Sequence, residues 1–179
     1  MEIAAGRERS SGRREEIVAA ALELLAADGA EALSMRRIAD RVGIRAASIY
    51  KHFPNKEALE AAIISAGFER QAEAFERAGD GLVALAAVYR DFARANPHLY
   101  RLMTERPLNR ELLAPGVEAR AAAPVIAAAG ADGDVARAAW AFAHGMTILE
   151  LNGRFPPGAD LDAAWARGLA AFTQRVRDK

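Results

Sequence analysis

Apolar residues recur along this chain at intervals of three and four positions, which is the period of a helix with one buried face. Such a stripe runs from Ser11 to Ala27, and Gly29 ends the predicted helix. The preceding residues 1–11 are predicted to form an arm that either reaches DNA with its arginines or is solvated. Further helices are predicted at residues 34–42, 45–52, 56–77, 82–95, 97–103, 117–129, 134–151 and 160–179. The chain is therefore predicted to be all-α, with about nine helices.

The most informative stretch is residues 34–56. Ser34 is a suitable helix N-cap, and Gly43 follows the apolar face where a left-handed residue closes a helix. A second, short helix is predicted at residues 45–52, with Ile49 facing inward. Its outward side chains suit DNA, because Arg reads guanine edges, Ser donates or accepts, and Ala permits close approach to bases. This stretch is therefore predicted to be a helix-turn-helix whose second helix enters the major groove.

Composition and charge narrow the class of protein. The net charge is zero, yet residues 36–56 carry six basic residues and one acidic residue, a local charge of +5. A local basic surface favours a defined DNA contact over non-specific coating of nucleic acid. With no Cys, disulfides and thiolate chemistry are excluded. Signal-peptide and membrane-spanning patterns are absent, so a cytoplasmic location without a membrane partner is expected, and no metal or cofactor is predicted.

Two runs then carry a resemblance. Ile38-Ala39-Asp40-Arg41-Val42-Gly43-Ile44, followed by Ser48-Ile49-Tyr50-Lys51-His52-Phe53-Pro54-Asn55-Lys56-Glu57-Ala58-Leu59, resembles the DNA-binding domain of the TetR family of transcriptional regulators. The resemblance implies a three-helix DNA-binding domain at residues 1–55 and a ligand-binding and dimerisation bundle at residues 56–179. It places Arg36 at a base-reading position. The predicted DNA-contacting residues are Ser34, Arg36, Arg45, Ala46, Ala47, Ser48, Tyr50, Lys51, His52 and Lys56.

The C-terminal half resembles one subgroup of the same family. The pattern Trp140-x-x-x-His144-Gly145 carries this resemblance, together with the run from Tyr89 to Tyr100. His144 is either the polar anchor of a pocket or a hydrogen-bonded core residue, and the aromatic residues are either pocket walls or ordinary core. The predicted pocket residues are Tyr89, Phe92, Tyr100, Met103, Trp140 and His144.

The last two predicted helices each carry a wide apolar stripe. Because two helices cannot cover both stripes with each other and the core alone, a partner subunit is the expected neighbour. The alternative is a wide internal core. The predicted interface residues are Phe142, Met146, Leu149, Trp165, Leu169 and Phe172. In the helix at residues 117–129, Pro124 either starts the regular part or kinks it.

These patterns favour a ligand-responsive transcriptional regulator, of the kind that represses in this family. Its expected partners are a palindromic double-stranded DNA operator, a second copy of the chain and an unidentified small apolar effector. A constitutive DNA-binding protein without ligand control is one alternative. A helical-bundle enzyme is another, although the sequence lacks a Gly-rich phosphate loop, a nucleophile elbow and carboxylates at ligand spacing.

Overall fold

The computed structural model describes the backbone of residues 2–177 and the side chains of residues 12–173. Over these residues the backbone is helical without strands, which confirms the prediction of an all-α chain with about nine helices. Two short 3-10 turns, Ala30–Ala32 and Arg110–Leu112, lie in the connections. The helices are α1 Glu2–Asp28, α2 Met35–Val42, α3 Ala46–Ile49, α4 Lys56–Glu76, α5 Leu82–Ala95, α6 Pro97–Thr104, α7 Val117–Ala128, α8 Gly133–Leu151 and α9 Leu161–Arg177.

The chain forms two compact units. The first consists of Met1–Gly67 and His98–Pro115, and the second of Phe68–Pro97 and Gly116–Lys179. The division falls inside α4, so this helix contributes to both units. The domain boundary predicted between residues 55 and 56 stays a prediction.

Helix α1 begins earlier than the sequence pattern indicated. It starts at Glu2, so the predicted arm at residues 1–11 is wrong for the backbone that the structure describes. The stretch is rich in Glu, Ala and Arg, which are strong helix formers, and extending an existing helix adds a hydrogen bond for each residue fixed. No apolar stripe is needed for that extension. The predicted DNA contacts of Arg7 and Arg9 fall on side chains outside the described ones.

The core of the first unit receives large side chains from each of its helices. Gly67 on α4 permits close packing against α6, since a Cβ atom there would lie 2.5 Å from Met103 Sδ and 3.3 Å from Leu99 Cδ1. Ser65 fastens the connection after α6 to α4, because its hydroxyl accepts a bond of 2.9 Å from the Ala114 N–H. The fully buried large side chains of this unit are Ile17, Leu25, Ile38, Ile49, Phe53, Leu59, Ile63 and Tyr100.

In the second unit, α8 packs against α5, α7 and α9. Asp132 caps α8 by accepting bonds from the N–H groups of Asp134 and Val135, and Asp160 caps α9 by accepting one from the Ala163 N–H. Pro124 lies inside α7, so it interrupts that helix instead of starting it. Among the described residues, no helix combines the length and the apolar character that crossing a membrane requires.

Candidate nucleic-acid interface

The turn of the helix-turn-helix is built as the sequence predicted. The Ser34 hydroxyl accepts a bond of 3.2 Å from the Arg37 N–H and so caps α2. Gly43 closes the same helix with φ of 71°, a left-handed conformation that costs glycine little. The Ile44 N–H then donates to the Ala39 carbonyl at 2.9 Å. These bonds fix the direction in which the chain leaves α2 and enters α3.

The recognition helix is shorter than the predicted residues 45–52. Helix α3 spans only Ala46–Ile49, with Arg45 at its N-cap. Beyond it, the N–H groups of Lys51 and His52 bond to carbonyls three residues back, which is the tighter 3-10 pattern. Pro54 contributes to this early end, since it disfavours helical backbone in the residue before it. The outward residues after Ile49 are therefore presented on a turn.

The ten predicted DNA-contacting residues are gathered in this one region, and all reach solvent. Tyr50 is the most prominent apolar group among them, with 52% of its surface exposed. The exposed residues also include Ser34, Arg36, Arg45, Ala47, Lys51 and Lys56, whereas Ala46, Ser48 and His52 are half-buried.

The basic residues of this region fall into two sets. Arg37 pairs with Asp28 and Arg41 with Glu23, both acids being on α1. Lys56 lies 3.5 Å from Glu60. The other set, Arg36, Arg45 and Lys51, forms no ion pair with any residue that the structure describes. These three cations are not paired with an acid among those residues, so we name them the free cations.

Arg14 has a role that the sequence did not reveal. Its guanidinium donates to the backbone carbonyl of His52 and lies over the Phe53 ring, 4.2 Å from the ring centroid. Helix α1 thereby holds the turn that follows α3. No local pattern in the sequence connects Arg14 to a carbonyl 38 positions away.

The predicted pocket residues are divided between the two units. Tyr100 and Met103 are buried in the first unit, and Tyr89 and Phe92 are buried in the second. Trp140 has 51% of its surface exposed and stacks on His144, with ring centroids 5.9 Å apart. A side chain so exposed does not wall an enclosed pocket within one chain, which corrects its predicted role. Helical spacing placed Trp140 on an apolar face, but spacing does not show which neighbouring residues cover a side chain.

The first unit contains a groove of about 420 Å³. It is formed by the end of α1, the following 3-10 turn and α6, with Gly29 and His98 in its wall. It contains none of the six predicted pocket residues. Its charged lining residues are Asp28, Glu31, Arg101, Glu105 and Arg106.

The predicted interface residues separate into buried and accessible ones. Trp165 and Leu169 are buried within the single chain, so they are core residues of the second unit and their predicted interface role is wrong. Phe142 lies between Trp165 and Phe172, with ring centroids 5.7 and 6.0 Å away. Leu149 is 41% exposed, and Met146, Phe142 and Phe172 are half-buried. The apolar residues of α9 therefore contribute to the core of the second unit.

Arg90 joins three helices of the second unit. From α5 it donates to Glu150 of α8 at 2.8 Å and to Asp162 of α9 at 2.6 Å, and its guanidinium lies 5.6 Å from the centre of the Trp165 ring. The hydrogen bond to Glu150 raises the pKa of Arg90 above its ordinary value, although burial opposes that change. Arg90 therefore stays ionised and holds α8 and α9 against α5.

The fold and this interface define a class of protein. A short exposed helix after a left-handed glycine, with free cations around it, is a helix-turn-helix that binds DNA. No group of three metal-ligating side chains occurs within the described part of the chain.

Comparison with known proteins identifies the family. The model for bacterial regulatory proteins of the tetR family matches residues 17–63, and the tetracyclin repressor-like C-terminal domain model matches residues 82–172. Over 154 residues, the chain is 31% identical to the uncharacterized HTH-type transcriptional regulator Rv0681 of Mycobacterium tuberculosis, covering 78% of this chain and 71% of that protein. This protein belongs to the TetR family and is a DNA-binding transcriptional regulator.

Two further likenesses locate the shared parts. The tetracycline repressor protein class C of Escherichia coli is 44% identical over 54 residues, which is 30% of this chain and 25% of that protein. The crystal structure of SCO4313 has a TM-score of 0.74 and 26% identity, and the match covers 94% of this chain and 98% of that one. The first likeness concerns a short segment, whereas the second extends over nearly the whole fold.

Proposed function

We propose that this regulator is a homodimeric repressor that leaves a palindromic operator when a small, mostly apolar molecule binds its second unit. The observation that carries the proposal is the exposed set of free cations and Tyr50 around α3, in a chain whose remainder matches a repressor-type C-terminal domain. TetR-family regulators bind DNA operators and act as dimers. A repressor role is further supported by the name of the class C relative.

The DNA contact divides into base reading and backbone positioning. Arg36 and Arg45 are the long exposed donors able to reach guanine edges, while Ala46 and Ala47 let α3 approach the bases closely. Tyr50 and Lys51 lie on the turn after α3, where they suit phosphate contacts. In a dimer the two copies of α3 occupy successive major grooves, about 34–36 Å apart.

Effector control requires that the molecule prefer one arrangement of the dimer. It releases DNA only to the extent that it binds the DNA-free form more tightly than the DNA-bound form. A constitutive DNA-binding protein would show no such difference. Ligand-dependent thermal stabilisation together with operator release separates these two functions.

The test uses DNA flanking the protein's own coding region, searched for an inverted repeat. Wild type should bind such a duplex as two chains, and Tyr50→Ala and Lys51→Ala should each weaken binding about tenfold. Arg41→Ala is the matched control, because it removes the same charge from a residue already paired with Glu23. Equal binding by wild type, Y50A and K51A in titrations at fixed salt would remove this assignment of the DNA interface.

A further inference from the structure

Thr147 of α8 is completely buried, and its hydroxyl has no hydrogen-bond partner among the residues that the structure describes. Two hydroxyls on other helices are satisfied locally. Ser65 donates to the Ala61 carbonyl and Thr104 to the Tyr100 carbonyl, each at 2.8 Å. A buried hydroxyl without a partner has lost its bonds to water and gained none in exchange. Thr147 is therefore a polar group held in the core at a cost in free energy.

The other buried side chains of α8 are small and apolar. On the buried side of α8 it follows Ala136, Ala139 and Ala143 at helical spacing, so this face carries only methyl groups before the hydroxyl. Helix α8 packs against α5, α7 and α9. Arg90 of α5 and Glu150 of α8 are the mostly buried charged side chains here, each 16% exposed, and they pair with each other. A charged molecule would find no unpaired buried charge among the described residues of this unit, which limits the occupant of such a site to an uncharged one.

A second polar atom in the same unit also lacks a partner. The indole Nε1 of Trp165 is buried without a hydrogen bond among the described residues, and its ring packs edge-on against Phe142 of α8. An indole N–H can only donate, and a threonine hydroxyl is able to donate. Helices α8 and α9 thus each carry one buried group that can donate and has no acceptor among the described residues. A molecule that completes these hydrogen bonds must bring an acceptor.

Helix α7 is the element best able to yield to a ligand. Pro124 in its interior has no N–H to donate to the carbonyl of Arg120, so one helical bond is missing. Within the helix only Val117 and Ala121 are buried. Helix α7 therefore lacks one backbone hydrogen bond. Moving it away from α8 would expose only a few apolar side chains.

We propose that Thr147 is the polar contact of the effector site, donating its hydroxyl hydrogen to an uncharged, mostly apolar molecule that carries a carbonyl or ether oxygen. This inference rests on the proposed ligand control and adds to it the chemistry of the ligand and the residue that selects it. The three alanines contact its apolar part, and the ligand oxygen supplies the acceptor that the chain does not.

The test uses pairs of probes that have the same shape but differ in the acceptor. Acetophenone is paired with α-methylstyrene, and cyclohexanone with methylenecyclohexane, so that only C=O is exchanged for C=CH₂. Calorimetric titration of the full-length protein should show at least one ketone binding about fivefold to tenfold more tightly than its alkene, the gain expected from one neutral hydrogen bond. If neither ketone binds better than its alkene, the inference is wrong.

Variants assign that preference to the hydroxyl. Thr147→Val keeps the side-chain shape and should remove the preference for ketone, while Thr147→Ser should retain it. Without any probe, T147V should raise the melting temperature, because valine has no unsatisfied hydroxyl. Thr104→Val is the matched control: it removes a satisfied hydroxyl, so it should not raise the melting temperature or change probe binding. A fall in the melting temperature of T147V would reveal an intrachain partner and overturn the inference.

Operator release separates this inference from the proposed function. A ketone that binds through Thr147 but leaves DNA affinity unchanged would contradict ligand control while keeping the site. A compound that releases DNA equally from wild type and T147V would support ligand control and overturn the role of Thr147.

Discussion

A single left-handed residue determines how the recognition helix of this regulator is presented. Gly43 has φ of 71° and no other atom within 4 Å of where a Cβ would lie, so space is not the constraint there. The constraint is the backbone conformation itself, which side chains other than that of glycine disfavour.

Gly43→Ala should therefore lower the free energy of unfolding by about 1 kcal/mol and weaken operator binding. Gly12→Ala should do the opposite and stabilise by about 0.5–1 kcal/mol, because Gly12 lies in helix α1 with nothing within 4 Å of a new Cβ. Urea unfolding of both variants measures the two effects. The strain at Gly43 is disproved if G43A is as stable as G12A.

Arg14 provides a second prediction at the scale of one residue. Arg14→Ala should lower stability by about 1–2 kcal/mol and operator affinity about tenfold, since it releases the His52 carbonyl and the Phe53 ring. The slope of log affinity against log salt should stay the same, because Arg14 acts on the turn and not on a phosphate. Fluorescence anisotropy at several salt concentrations measures both quantities.

Arg13→Ala is the control for Arg14, as Arg13 is the neighbouring arginine and pairs only with Glu16 on the same helix among the described residues. It should leave stability and affinity near wild type. A salt slope reduced by about one in R14A would instead indicate a direct phosphate contact.

Caps and turns illustrate what single residues reveal without a structure. Ser34 was predicted to cap a helix, and it accepts a bond from the N–H three residues later, as Asn55 and Asp160 also do. These bonds are local, so composition and spacing suffice to predict them. The partner of Arg14 depends on which helices meet, and no local pattern contains that information.

At the scale of helices, the packing of α8 against α9 depends on Gly168. A Cβ atom at this position would collide with the Phe142 ring. Gly168→Ala should lower the free energy of unfolding by about 1–3 kcal/mol, the usual cost of overpacking.

Adding Phe142→Leu should recover part of the stability lost in G168A, because a smaller side chain makes room for the new methyl group. The four free energies of unfolding form a double-mutant cycle. Strictly additive effects would show that Gly168 and Phe142 are not in contact as described.

The end of α4 is joined to α7 by Arg120, which donates to Glu76 and pairs with Glu69. The side-chain hydrogen bond from Arg120 lowers the pKa of Glu76 below its usual value of 4.5. At a pH above the usual pKa of Glu76, the ion pair therefore stabilises the folded state. This contribution is lost as the pH falls through the lowered pKa that Glu76 has in the folded protein.

Glu76→Gln should consequently reduce the difference in urea midpoint between pH 7 and pH 3. Glu73→Gln is the control, since Glu73 is 4.0 Å from Arg77 and has no bond to Arg120 among the described residues. An unchanged pH dependence in E76Q would contradict the role given to this pair.

Helix boundaries were predicted with uneven success for a physical reason. Helices α5 and α6 meet at Asn96 and Pro97 as predicted, because proline imposes that boundary locally. The extension of α1 and the shortening of α3 were not predicted, since helix propagation and 3-10 turns leave no apolar stripe.

For the whole molecule, the exposed apolar surface of α8 is the proposed contact with a second copy. Leu149 is 41% exposed there, and Trp140 is 51% exposed. Burial of such side chains is a main source of stability in a dimer interface. The two buried stripe residues, Trp165 and Leu169, are not available for it.

Leu149→Glu should therefore convert the dimer to a monomer at micromolar concentration and weaken operator binding, because only a dimer places two recognition helices at one operator. Val83→Glu is the control: Val83 is 57% exposed on α5 and should tolerate the charge. Sedimentation velocity distinguishes the two. A dimeric L149E would locate the interface elsewhere.

The helical fold, the glycine turn, the caps and the position of the recognition segment were all determined by the sequence alone. Each depends on residues within a few positions of one another, whose spacing and conformational preferences can be recognised without a structure. Only the tertiary structure decided which cations stay free, that Trp140 is exposed and Trp165 buried, and that the Thr147 hydroxyl has no partner. Those properties depend on neighbours distant in the chain, because burial and hydrogen bonding are set by the helices that meet and not by the helix that carries the residue.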